Sequence, residues 1–396
     1  MSHTYRIGIV GCGVAGAAAA LFLARDGHRV TIVEQAPELG AKGAGILLQK
    51  SGQTVLQHLG LREHVLQHAA PLEELYARQL SGSTLICTRY ADYGPDCRAY
   101  GVHRGTLFTA LHEQLGKCDV SIATGCVSVG REIDSQGVWI RDSCQRRHGP
   151  FDFLLVADGS RSRMREACGM RAHTWKYAHG TLWFIAPLTV PGRLLQVVRG
   201  NRQLFGLMPM GDGLCTMYWG LPERDYPALQ KRGLTALKQE ILAFAPESEP
   251  VLALIADMQQ LLFTSYRHVW MPRWFDRTTL FLGDAAHGMS PHLGQGMNLA
   301  LVDAFRFSEC LRESRSPHAA FTAFRRQQRA YIRYYSLITF ALSPFFQSDW
   351  PILAWGRDIA LPLLPKIPYV KRQMLMTVTG MKSDFFGGEL NLGRSH

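Results

Sequence analysis

Residues 5–34 constrain this chain more than any other stretch. Residues 5–10 include Ile7, Ile9 and Val10 and read as a short buried strand. Gly11-Cys12-Gly13-Val14-Ala15-Gly16 follows, then an alanine-rich helix to about Arg25, closed by Gly27. Residues 29–33 read as a second strand, with Glu34 at its end. Gly11 permits the tight turn, Gly13 keeps a Cβ out of the path of a pyrophosphate, and Gly16 lets the helix pack closely on the sheet. The first helical amides, at Val14, Ala15 and Gly16, are free donors at a positive dipole end and suit phosphates. Glu34, with Gln35 beside it, is placed for ribose hydroxyls, and an acid there disfavours a 2′-phosphate. The motif predicts a bound dinucleotide without separating one dinucleotide from another.

Composition narrows the class. The chain has 396 residues, 47% hydrophobic and 19% charged, which fits a folded α/β protein and argues against disorder. The net charge of +11 comes from scattered basic residues, with no block of lysine and arginine interleaved with aromatics. The expectation is a basic protein that attracts anions, with no nucleic-acid partner. Nine cysteines, an odd number and none in a Cys-x-x-Cys pair, argue against a disulfide framework or a metal site and predict reduced thiols. Residues 8–24 are uncharged, but their spaced glycines and the following Arg25-Asp26-Gly27 disfavour a signal peptide or membrane span. The expected location is the cytoplasm.

Three later segments add chemistry. Residues 102–107 carry Arg104 at the entrance to a helix over 107–115. Residues 154–165 read as an apolar strand ending in Asp158-Gly159, then a basic helix start. Residues 280–298 read as a strand ending in Gly283-Asp284, a loop with His287, Pro291 and His292, and the run Gly294-Gln295-Gly296-Met297-Asn298. That run opens an amphipathic helix over 296–311. Asp284 at a strand end suits sugar-like hydroxyls, and the bare amides near Gly294 and Gly296 suit a developing anion.

On these motifs the chain resembles the class A flavoprotein aromatic hydroxylases, the para-hydroxybenzoate hydroxylase-like family. The resemblance spans residues 7–311 and implies FAD as the cofactor. It implies that the N-terminal glycines meet the FAD pyrophosphate and adenosine. Asp158-Gly159, with Ser162 and Arg165, would serve both FAD and NAD(P)H, and Asp284 would contact the ribityl chain. Arg104 would reach the FAD chain, while Pro291 and residues 294–298 would lie beside the isoalloxazine ring. Residues 43–49, including Gly45, resemble the loop that follows the second strand and lies beside the flavin. The tail over 346–382 resembles, in composition, those of ubiquinone-pathway hydroxylases.

The implied fold is a Rossmann-like FAD-binding domain with an inserted antiparallel-sheet substrate domain and a helical C-terminal region. The FAD-binding part is expected over 1–72, 100–172 and 276–330, the substrate domain over 73–99 and 173–275, and the helical region over 331–396. Strands are expected at 181–185, 194–198, 203–208 and 214–219, with helices at 234–244 and 249–258. Aromatic and soft side chains there, Trp183, Phe205, Met208 and Tyr218, are the expected substrate contacts. His287 and His292, flanking the flavin loop, and Pro291 are the expected catalytic residues, and His179 is a further candidate for proton handling.

The resemblance implies a monooxygenase that takes NADH or NADPH transiently and O₂, and hydroxylates a small aromatic or lipophilic substrate through a flavin C4a-hydroperoxide. Phenolic, quinolone-like and prenylated substrates all fit. Alternatives stay open: a flavin-dependent isoprenoid reductase, a halogenase, or a non-catalytic FAD-binding protein. The expected assembly is a monomer or homodimer. For the C-terminal region, broken by Pro351, Pro362, Pro365 and Pro368, two readings stay open. It caps the active site, or its basic apolar surface touches membranes.

Overall fold

The computed structural model describes residues 3–40 and 44–393. Five parallel strands form the first sheet, in the order Thr279–Phe281, Phe153–Val156, Arg6–Val10, Arg29–Val33 and Val120–Ala123. Their residues are nearly continuous apolar runs because both faces are covered, as parallel sheets require. Helices Val14–Arg25 and Gly296–Glu313 pack against each other, and the long helix Pro317–Phe346 packs on the latter. Ala17 to Ala20 are fully buried there, so the alanine run sets the close approach of the first helix.

A seven-stranded sheet stands apart from the parallel one. Its order is Leu262–Trp270, His173–Ala186, Leu214–Pro222, Gln203–Gly211, Arg193–Arg199, Glu74–Gln79 and Thr84–Arg89. The last two come from before residue 100, and Glu74–Gln79 joins in parallel to Arg193–Arg199. Helix Tyr226–Phe244 covers one face of this sheet. Two three-stranded sheets complete the β-structure. One is Arg147–Phe151, Gly137–Asp142 and Ser128–Asp134; the other is Gly45–Leu48, Ala99–His103 and Ala69–Leu72.

Two helices differ from the sequence expectation. The helix expected at 234–244 starts at Tyr226 and is interrupted at Gly233, whose φ of 80° breaks helical geometry. The helix expected over 249–258 stops at Ala253. Asp257 accepts a hydrogen bond from the Gln259 N–H and caps a separate short turn, Met258–Gln260, so the earlier helix does not run through. The proline-broken tail forms helices Pro351–Ala360 and Pro368–Val378, each opening on its proline. Among the described residues no helix is long and apolar enough to cross a membrane.

Candidate active site

The first helix begins without a side-chain cap at Gly13, so its leading amides point out unpaired. A Cβ on Gly13 meets nothing within 4 Å, an open space in front of those amides. The other two glycines are closed in. Gly11 has φ of 96° and lies against the Ala157 backbone, and a Cβ on Gly16 falls 2.0 Å from the Gly11 carbonyl oxygen. The buried Ala15 and half-buried Val14 complete the turn.

Glu34 closes the second strand and accepts hydrogen bonds from the Cys12 N–H at 2.6 Å and the Ala36 N–H at 2.8 Å. Both carboxylate oxygens are thereby aimed, and each keeps a lone pair for a ribose hydroxyl. Gln35 beside it is exposed. Burial, with Glu34 nearby, pushes the Cys12 thiol up to about 12, so it is inert packing under the turn.

Asp284 follows Gly283, whose φ is 55°, and its carboxylate accepts no hydrogen bond among the described residues. Solvent reaches it, yet surrounding protein raises its carboxyl above the usual range, against the pull of His287 and Arg104. Arg104 opens helix Arg104–Leu115 and is exposed. A Cβ on Gly296 falls 3.9 Å from Asp284 Oδ1, so the glycine-rich loop and Asp284 share one wall. These unspent donors and the unspent carboxylate fit a dinucleotide laid from the first helix to the second.

Arg165 staples the Asp158 and Asp284 segments. It is buried and donates to the Ala285 carbonyl at 2.8 Å and the Ser160 carbonyl at 3.1 Å. Asp158 accepts from the Met164 N–H at 3.3 Å, while its Oδ1 is buried without a partner. Burial raises its carboxyl, against the hydrogen bonds from Ser162 and Met164.

The segments expected beside the isoalloxazine ring come together from distant parts of the chain. Asn298 donates to the Leu47 and Gly294 carbonyls, each at 3.0 Å, and accepts from the Gln49 N–H at 2.9 Å. Its side chain, expected to touch the cofactor, is used as a clamp between the two loops. Gln295 Nε2 reaches the Thr377 and Val378 carbonyls, tying the loop to the C-terminal helix. A Cβ on Gly45 would strike Met210 and Thr216, so this loop lies against the large sheet. Gly294 has φ of 61° and abuts Leu47; Met297 is half-buried. Gly43 of the same loop lies outside the described residues.

The three expected catalytic positions separate. Pro291 is exposed at the head of the short turn Pro291–Leu293. His292 sits beside it with Nδ1 2.8 Å from Ser290 Oγ. His287 turns inward instead: Nε2 lies 2.6 Å from Asp303, which also accepts from the Gly283 N–H and Gln328. Burial opposes charge on His287, but Asp303 outweighs it and holds the imidazolium above the ordinary histidine range. His287 is therefore corrected from proton carrier to buried support of the Asp284 turn.

The expected substrate contacts also divide, because strand side chains alternate. Trp183, Met208 and Tyr218 share the face toward the flavin loop, with Trp183 and Tyr218 rings 5.1 Å apart. Phe205 points the other way, fully buried with Trp219 and Phe244 under the covering helix. It is corrected to sheet core. Sequence reasoning missed Asp303, Gln328, Met210 and Thr216, which lack a local pattern that marks them. Cys126, Asp142 and His148 converge elsewhere, but Arg146 bonds both the cysteine and the aspartate and supplies the positive charge there.

A family model described as "FAD binding domain" matches residues 4–320. The chain belongs to this family. Among its relatives, 6-hydroxynicotinate 3-monooxygenase of Pseudomonas fluorescens is 28% identical, over 79% of this chain and 84% of that protein. Kynurenine 3-monooxygenase of Salinispora arenicola is 29% identical, over 82% and 76%. The 2-heptyl-3-hydroxy-4(1H)-quinolone synthase of Pseudomonas aeruginosa strain UCBPP-PA14 is 25% identical, over 90% and 94%. In fold the chain resembles Klebsiella pneumoniae HpxO complexed with FAD and uric acid, with a TM-score of 0.82, 21% identity, and coverage of 95% and 97%. This flavoprotein is an FAD-dependent monooxygenase of the aromatic hydroxylase class.

Proposed function

We propose that this flavoprotein hydroxylates a small, lipophilic aromatic substrate, phenolic, quinolone-like or prenylated, using NAD(P)H and O₂. The observation that carries the reading is the sheet face bearing Trp183, Met208 and Tyr218, set against the loop of Gly45 and Gly294. Bound FAD would supply the redox chemistry and the oxygen transfer. The chain's own residues would hold, orient and dry the site. The amides of Val14, Ala15 and Gly16 would take the diphosphate, and Glu34 and Gln35 the adenosine ribose. Arg104, Asp158 and Asp284 would hold the middle of the cofactor. The amides of Gly296, Met297 and Asn298, at a helix N-terminus, would favour negative charge on the reduced ring. Pro291 would shape the face where oxygen reacts. His292, adjacent to it, would move a proton to or from a phenolic hydroxyl.

The same reading divides the chain into an FAD-binding part over 1–72, 100–172 and 276–330, a substrate part over 73–99 and 173–275, and a C-terminal region. It places the protein in the cytoplasm as a monomer or homodimer. Exposed Trp350, Ile352, Trp355 and Ile367, with Lys366 among them, support peripheral contact of the C-terminal region with a membrane. Co-sedimentation with anionic vesicles checks that contact.

The test of function is substrate-stimulated NAD(P)H oxidation by the FAD-loaded chain across phenols, quinolones and prenylated aromatics, with O₂ uptake and product mass recorded. A product heavier by one oxygen is expected. Turnover of a substrate without O₂ consumption would reject hydroxylation in favour of reduction.

A further inference from the structure

The geometry points to His179 and His292 as the polar anchor of the substrate pocket, selecting an uncharged hydroxyl, carbonyl or ring N–H over a carboxylate. This rests on the hydroxylase reading and names the substrate class for that site.

His179 is 2% exposed, and neither ring nitrogen has a partner. His292 Nε2 is likewise buried and unpartnered. Its other nitrogen is held by Ser290 Oγ, which in turn lies 2.8 Å from Ser343 Oγ, so the ring is fixed with Nε2 presented. The two histidines come from different elements, the strand His173–Ala186 and the turn Pro291–Leu293, and both border residues 346–347: Phe346 lies beside His292, and Gln347 abuts Gly220, which pairs with Thr181 two residues beyond His179. Phe346 lies 6.1 Å from the His292 ring and packs on the same cluster as Tyr218. The pair therefore borders the sheet face that carries Trp183 and Tyr218.

Buried polar atoms are normally satisfied, so three orphaned imidazole nitrogens in one place ask for a ligand. The neighbouring polar groups are already used. Gln196 donates to the Tyr218 hydroxyl at 2.6 Å, and Trp183 Nε1 donates to Thr264 Oγ1 at 2.8 Å. Among the described residues, the arginines that bear on His179, Arg202 and Arg224, are paired as well, with Asp225 and Asp349. Buried Arg357, over the Phe346 ring, is spent on Asp358 and on the Gly200 and Phe345 carbonyls.

Burial disfavours charge on both rings, and pushes His292 down to about 4. A neutral imidazole offers one donor and one acceptor. Such a pair matches a hydroxyl, a carbonyl or an N–H. It gives no compensation to a buried carboxylate, whose desolvation would go unmet.

Isothermal titration of the FAD-loaded full chain tests this with two probes that share one ring system, 4-quinolone and 4-quinolone-2-carboxylate. The neutral probe should bind at least about tenfold more tightly, with affinity flat between about pH 7 and 9. His179→Leu should weaken the neutral probe by about tenfold with FAD content and melting temperature kept, and His179→Gln should recover part of the loss. Equal or tighter binding of the carboxylate overturns the assignment. So does failure of both probes at millimolar concentration, or unchanged affinity in His179→Leu. A yellow enzyme with the opposite preference sinks this inference alone, whereas a chain that never takes up FAD sinks the flavoprotein reading beneath it.

Discussion

The two ends of the cofactor cleft are built in opposite ways. The phosphate end comes from one contiguous stretch, Arg6 to Glu34, whose strand, turn and helix form locally. The end proposed for the isoalloxazine ring is a meeting of residues 45–49, 294–298 and 377–380, held by Asn298 and Gln295 across more than 80 positions of chain. The first end is set by backbone geometry, and Gly11 and Gly16 leave no room there for a Cβ. The second is set by side-chain hydrogen bonds between elements that the rest of the fold must first bring together. Damage to the first should remove the cofactor, whereas damage to the second should leave FAD bound and lower stability.

The largest test lies at the junction of the two ends. His287→Leu leaves Asp303 without its charge partner and should cost about 3 kcal/mol or more in denaturant unfolding. Its pH dependence has a definite sign. Because the folded histidine is raised above its ordinary value, the stability it adds is fully present below about pH 6.5 and is lost as pH rises through the raised value. The gap between wild type and variant should therefore be widest near pH 6 and narrow in alkali; a gap that widens toward alkali would refute the pairing.

Gly16→Ala comes next. Its Cβ would lie 2.0 Å from the Gly11 carbonyl oxygen, forcing helix and turn apart at a cost of about 2–3 kcal/mol. The purified variant should be colourless. A yellow Gly16→Ala protein would show that the turn is looser than its packing implies. Asp284→Ala removes an unpaired acceptor without disturbing the core. FAD affinity should fall by about 1.5–3 kcal/mol, read as a dissociation constant, with little change in apoprotein melting. Unchanged retention would remove Asp284 from the cofactor. The smallest effect belongs to Gln295→Ala. Losing its bonds to Thr377 and Val378 should lower stability by about 1 kcal/mol and leave FAD occupancy intact, and loss of the flavin instead would erase the contrast between the two ends.

How much was legible in sequence follows the same division. Gly11, Gly13, Gly16 and Glu34 could be read at sight because their roles depend on neighbours a few residues away. Asp284 and Arg104 could be marked because each stands at the end of a predictable element. The orientation of side chains could not. Phe205 and Tyr218 look alike as aromatics in adjacent strands, yet the pleat sends one into the helix-covered core and the other toward the flavin loop. His287 and His292 look alike as loop histidines, yet Asp303, 16 residues on in sequence, captures one of them.

By itself, then, the sequence determined a Rossmann-like unit, its dinucleotide turn and the flavoprotein family, since these arise from local backbone demands that fix residue type. Tertiary structure alone decided which histidine Asp303 captures, which aromatics share the uncovered sheet face, and that a C-terminal helix steadies the loop of Gly294 to Asn298. Those outcomes depend on packing between segments far apart in the chain, where each partner is chosen by shape and unmet hydrogen bonding, and no local pattern records the choice.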